Sequence, residues 1–196
     1  MLEEHEILSR ETRGESHMKV LVSAASKHGA TLEIAEEIGR VLREALHERG
    51  VGNDVAVDVR PAEQVSSVED YDAVVLGSAV YAGHWLEPAR ELAERHAGAL
   101  AARPIWLFSS GPVGEPPKPA EEESVDVSGI LGATGARGHR VFPGRLDKGS
   151  LGFAEKAIVL ALRVAEGDFR DWDAIRGWAR EIAAQLHPAG REDSDG

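Results

Sequence analysis

Ser26, Lys27, His28, Gly29, Ala30 and Thr31 follow closely on a short apolar run, Val20 to Val22, and lead straight into a stretch of helical period. A strand, a small-residue turn and a helix N-terminus in that order make an anion site. Loop N–H groups and the positive end of the helix dipole converge there. Ser26 and Thr31 carry hydroxyls that can donate to an oxyanion, Gly29 lets the backbone approach an oxygen closely, and Lys27 adds positive charge at the rim. The chemistry expected of these residues is phosphate binding. No G-x-G-x-x-G follows the first strand, which argues against a dinucleotide turn, and no G-x-x-x-x-G-K-S/T occurs, which excludes a Walker-type ATPase.

Two further loops rich in small residues follow apolar runs. One reads Gly77, Ser78, Ala79, Val80, Tyr81, Ala82, Gly83, His84, Trp85, and the other Ser109, Ser110, Gly111, Pro112, Val113, Gly114. Small residues admit backbone close to a ring edge, and Tyr81 offers a face for stacking. Trp85 divides between that ring edge and helix packing. His28, His84 and His139 lack the helical spacing or carboxylate cluster of a metal site, and Ser109-Ser110-Gly111 is not a nucleophile elbow. No metal and no catalytic side chain is expected.

The elements that must hold these loops alternate. Thr31 to Arg49 places Ile34, Ile38, Val41, Leu42 and Ala45 on one helical face, closed by Gly50. Asp54 to Val59 alternates as a strand, and Pro61 opens a short helical turn. Tyr71 to Ser78 holds Ala73, Val74, Val75 and Leu76, the continuous apolar run of a strand covered on both faces. Pro88 starts a helix running to about Leu100. Pro104 to Ser109 is a fourth strand, Val125 to Ala133 a weak helix, and His139 to Phe142 a fifth strand. Leu151 to Ala165 and a segment capped by Asp171 close the chain as helices, with Trp106, Trp172 and Trp178 assigned to the core. This alternation predicts an α/β fold: a doubly wound, five-stranded parallel sheet of order 2-1-3-4-5 with helices on both faces. Ligands of such sheets sit beyond the carboxyl ends at the switch point between strands one and three.

The first loop resembles the flavodoxin phosphate loop, S/T-x-S/T-G-x-T, with His28 where flavodoxins usually carry a hydroxyl residue. Tyr81 falls where flavodoxins often place a stacking Trp. The three loops at three strand ends favour flavin mononucleotide (FMN) as the ligand, held by Ser26 to Thr31, Ala79 to Gly83 and Ser109 to Gly111. From Lys19 to Leu186 the chain resembles flavodoxin-domain proteins related to the menaquinone-dependent protoporphyrinogen oxidases. Gly77 to Tyr81 with Gly83 and His84, Phe108-Ser109, Phe142 to Leu146, and Asp171-Trp172 carry that resemblance. It implies a flavodoxin-like FMN protein acting on a porphyrinogen, a quinone or a similar flat substrate. The long loop departs from that family: GEPPKPAEEESVDVSG is proline-rich and acidic where the family carries a basic insert. A non-catalytic electron carrier for a redox partner protein, and an interaction domain without cofactor, remain open beside the enzyme.

Composition narrows the rest. The 196 residues suit one α/β domain, and the absence of Cys excludes disulfides, thiolate zinc sites and cysteine nucleophiles. With 34 acidic against 22 basic residues the net charge is −12, which disfavours non-specific nucleic-acid binding. There is no transmembrane-length apolar span and no signal-like N-terminus, so a cytoplasmic location is expected. Residues 1–17 read as a disordered leader, 18–187 as the FMN-binding domain and 188–196 as a disordered tail. Residues 157–162 are apolar around most of the helical turn. They either cover the sheet edge or dock a hydrophobic substrate, a peripheral membrane or a second subunit in a homodimer.

Overall fold

The structure, a computed structural model, describes residues 18–50, 55–81, 83–111, 126–147, 149, 152 and 166–186. The helix expected over Leu151 to Ala165 lies outside these residues except at Gly152, as do the leader, Ala82, Pro112 to Val125 and the tail.

β1 (Met18–Ala25) leads into α1 (Ala30–Glu48), then β2 (Val55–Pro61) and a single 3-10 turn at Ala62–Gln64. β3 (Ala73–Tyr81) turns back into the short β4 (His84–Trp85), followed by α2 (Glu87–Arg95) and α3 (Ala97–Ala101). β5 (Ile105–Ser110), α4 (Ser128–Thr134) and β6 (His139–Phe142) come next. A ribbon of β7 (Arg145–Leu146) and β8 (Gly167–Asp168) precedes α5 (Trp172–Gln185). The main sheet runs β2-β1-β3-β5-β6, all parallel, which is the expected doubly wound order with β4 added as an antiparallel hairpin partner of β3.

The period-2 geometry of strands divides the core in two. Val20, Val22 and Ala24 of β1 face α1 and α5, where Ile34, Ile38, Leu42, Ile175, Trp178 and Ile182 meet them. Leu21 and Ala25 face the other way, toward Leu92, Leu100 and Val127. Burial on both faces explains why β3 reads as an unbroken apolar run. Trp106 and Trp178 are buried and Trp172 packs against the same cluster, as their spacing predicts. Gly77 makes room for a close approach: a Cβ there would lie 2.2 Å from the Phe108 ring. That ring packs against Phe142 and Trp178, with centroids 6.3 and 6.2 Å away.

Several elements differ from the sequence reading. β3 runs past the end of β1, whose last pair is Ala25 with Ser78. Its overhanging backbone at Val80 and Tyr81 pairs instead with Trp85 and His84. The helix expected from Pro88 to Leu100 breaks at His96, whose φ of −111° and ψ of 18° are not helical, just before Gly98. α4 begins at Ser128 rather than Val125. The β7–β8 ribbon depends on pairing Arg145 with Asp168 and Leu146 with Gly167, a contact no local pattern reports.

Candidate functional site

The carboxyl ends of β1, β3 and β5 lie side by side, through the pairs Ala25 with Ser78 and Ala79 with Ser110. The chain winds away from β1 in opposite directions, toward β2 through α1 and toward β3, so the crevice at their ends is the switch point.

Gly29 is the N-cap of α1 at φ +83°, a left-handed conformation that disfavours a Cβ, and having no side chain it supplies no cap bond of its own. The first helical bond runs from Glu33 N–H to the Gly29 carbonyl at 3.0 Å. Thr31 is buried, and its N–H donates to Ser26 Oγ at 3.3 Å, a bond that closes the loop on itself. Ser26, His28, Gly29 and Ala30 are half-buried and Lys27 is exposed. The N-terminus of a 19-residue helix with a glycine at its N-cap fits a phosphate group: backbone N–H groups supply the donors and the dipole supplies the field.

Tyr81 stands at the tip of β3 and is 40% exposed, the one large hydrophobic side chain so exposed among the described residues. Lys27 Nζ lies 5.4 Å from its ring centroid and joins the first loop to the second. Ala79 is buried, Val80 and Gly83 are half-buried, and Ala82 is outside the described residues. On the third loop, Gly111 adopts φ +100° beside the β3 end, and a Cβ built on it would sit 3.8 Å from the Val80 carbonyl. The described portions of all three loops thus converge on one crevice.

Among the described residues of the third loop, the polar groups are largely taken by protein partners. Gly111 N–H is taken by the Phe142 carbonyl at 3.0 Å, because β6 extends the sheet alongside it. Ser110 is buried. Ser109 Oγ accepts from Trp85 Nε1 at 2.7 Å and sits 2.8 Å from His139 Nε2. Trp85 is only 3% exposed, which resolves its role in favour of packing. Ser78 Oγ bonds its neighbour's carbonyl and accepts from Leu86 N–H at 2.9 Å, fixing the start of α2. What Ser109 to Gly111 present to a ligand is therefore backbone and a bare Cα.

One group of residues at this end was not foreseen. Arg145 and Arg170 both grip Glu33, in the first turn of α1, at 3.0 and 2.7 Å. Arg170 also pairs with Asp168 at 2.6 Å. Hydrogen bonding from Arg170 holds the Asp168 carboxyl below its ordinary range, and the same pair raises Arg170. Glu33 is more than a hundred residues from both arginines in sequence, so no motif spacing could have joined them.

Set beside known proteins, residues 21–173 match the family described as Flavodoxin domain. The chain is 27% identical over 178 residues to the protoporphyrinogen IX dehydrogenase (quinone) of Escherichia coli strain K12, covering 85% of this chain and 95% of that protein. Oxidised flavodoxin 2 from Bacillus cereus shares the fold at 20% identity and a TM-score of 0.53, over 86% of this chain and 99% of that one. A flavodoxin from the domain Archaea superposes at 16% identity and a TM-score of 0.52, over 86% of this chain and 98% of that one.

Proposed function

Because the chain belongs to the flavodoxin domain family, we propose that it binds FMN at the β1–β3 switch point and works as an oxidoreductase on a porphyrinogen or quinone. The observation that carries this reading is the exposed Tyr81 ring beside the glycine-led N-terminus of α1. A flat ring needs a face to stack on, and a phosphate monoester needs one cluster of N–H donors rather than a pyrophosphate turn.

In this reading the 26–31 loop and the first turn of α1 hold the phosphate, with the Thr31 hydroxyl turned to it and Lys27 at the rim. Tyr81 covers one face of the ring, and the backbone around Gly83 and Gly111 borders its edge. Gly83, at φ +81°, can allow the adjoining peptide to turn toward or away from the ring. An isoalloxazine supplies hydride and single-electron chemistry by itself, so the protein needs no catalytic side chain. Its own contribution is orientation and field: an electron-rich ring at Tyr81 and a net charge of −12 both disfavour added negative charge on the bound group. The relative that turns over protoporphyrinogen IX with a quinone supports the substrate class.

Absorbance of the purified protein and the mass of any ligand released on denaturation test the cofactor. Titration of apo-protein with FMN and with riboflavin tests the phosphate site, and equal affinities would remove phosphate recognition. Turnover of protoporphyrinogen IX with a quinone acceptor tests the activity. The net charge of −12 favours a second reading, electron carriage to a basic redox partner. FMN binding with no porphyrinogen turnover, and reduction by a partner that slows with added salt, would select it.

A further inference from the structure

We propose that Arg170, with Arg145 beside it, is a positioning residue for the phosphate end of this site: it fixes a peptide plane of the cradle and offsets the Glu33 carboxylate behind it. The inference rests on the FMN reading above and adds residues that lie outside the three strand-end loops.

The geometry begins with one peptide. Arg170 Nη1 donates to the Ala30 carbonyl at 3.2 Å. That carbonyl belongs to the same planar unit as the Thr31 N–H, which points to the opposite side, toward Ser26 Oγ. Holding the oxygen therefore holds the N–H, and a guanidinium on the oxygen also polarises the peptide and strengthens its donor. Arg170 is itself held on all sides. Nε and Nη2 bond the two oxygens of Asp168 at 2.8 and 2.6 Å, and Nη1 bonds Glu33 at 2.7 Å. The guanidinium carbon lies 4.4 Å from the Trp172 ring centroid, and the side chain is 3% exposed. A charge this buried is expensive unless paired, and apolar residues would often serve stability as well. Its placement makes sense where the orientation of one backbone donor matters.

Charge gives the second half of the argument. Glu33 suits the helix dipole but repels a phosphate bound at the same N-terminus. Arg145 meets both Glu33 oxygens at 3.0 Å, and Arg170 meets one of them. Two guanidiniums thus balance the carboxylates of Glu33 and Asp168 in a neutral group at the first turn of α1. Removing either arginine uncovers a negative charge there.

Equilibrium titration of the apo-protein with FMN and with riboflavin separates a phosphate effect from a general one. Arg170→Met keeps the stem over Trp172, and it should weaken FMN binding about tenfold while riboflavin changes less than about twofold, the scale of one charge-assisted bond. Arg170→Lys keeps the charge without the fork and should fall between. Arg145→Met, at a half-exposed position that a folded protein tolerates, should lose about threefold for FMN only, and it decides the matter if Arg170→Met does not fold. Equal losses for both ligands would reduce the arginines to scaffolding, and an unchanged FMN-to-riboflavin ratio in the variants would overturn the inference. Wild-type protein that fails to prefer FMN over riboflavin would overturn the FMN reading, and this inference with it.

Discussion

Ser109→Ala isolates the network under the third loop. Ser109 Oγ takes the Trp85 indole N–H at 2.7 Å and lies 2.8 Å from His139 Nε2, so its own hydrogen completes a Trp–Ser–His chain when that nitrogen accepts. In the alanine variant the indole N–H stays buried without an acceptor, a loss of about 1–3 kcal/mol. The serine–histidine bond adds about 0.5–1.5 kcal/mol, tempered because half-buried His139 can turn to water. One missing oxygen leaves less room than a water molecule needs, so solvent does not repair the gap. The sum is about 3 kcal/mol, which for a chain of this size lowers Tm by about 6–12 °C. Calorimetry and urea unfolding read it directly. A double-mutant cycle with Trp85→Phe assigns the loss, because Ser109→Ala should cost about 1–2 kcal/mol less once the indole donor is gone. FMN affinity should move less than about twofold, since the hydroxyl faces inward. A loss under about 0.5 kcal/mol, or strict additivity with Trp85→Phe, refutes the network as a structural unit.

Thr31→Ala removes a proposed phosphate hydroxyl and should weaken FMN binding by about 1–3 kcal/mol, while riboflavin binding stays level in the same titration. Tyr81→Leu should partly restore flavin fluorescence and shift the reduction potential; unchanged quenching and potential would make Tyr81 a bystander. Gly77→Ala drives a Cβ to 2.2 Å from Phe108, a ring clamped by Phe142 and Trp178. It should cost about 1–3 kcal/mol by chemical denaturation, more than the entropy gained by losing a glycine. Glu37 pairs with Arg40 on its own helix at 2.8 Å and links α1 to α5 through Arg176 at 2.5 Å. The Arg40 hydrogen bond, aided by Arg176, holds its carboxyl at about 2 instead of 4.5. A depressed folded-state value gives stability that is present above 4.5 and lost as pH falls toward 2. Solvent screening limits the contribution to about 1 kcal/mol, and Glu37→Gln should flatten the urea midpoint across that acid range.

Much of the architecture is written in local patterns. Ile34, Ile38 and Leu42 recur at helical spacing, and Ala73 to Leu76 form an apolar run too long for a half-exposed strand, so α1 and β3 follow from side-chain periodicity alone. The phosphate-type turn is equally local, because Gly29 and the hydroxyls around it act within one loop. Alternation of strands and helices then predicts the order that the sheet adopts, since right-handed crossovers leave few arrangements. Contacts made across the sheet were beyond that reach. The β4 hairpin exists because β3 outruns β1, a difference in strand ends that appears only when the two are paired. Trp85 could serve a ring edge or a core until Ser109 and His139 came beside it. Nothing local to Gly111 shows that its N–H is taken by the Phe142 carbonyl of β6. The sequence by itself determined the periodicities, the turn chemistry and the class of ligand to look for. The fold alone decided which polar groups face the crevice and which are spent inside, and it brought Arg145 and Arg170 to Glu33 from the far end of the chain. The physical reason is range: periodicity and turn preference act over a few residues, whereas the partner of a hydrogen bond or a buried charge is whatever the packed chain places within about 3 Å.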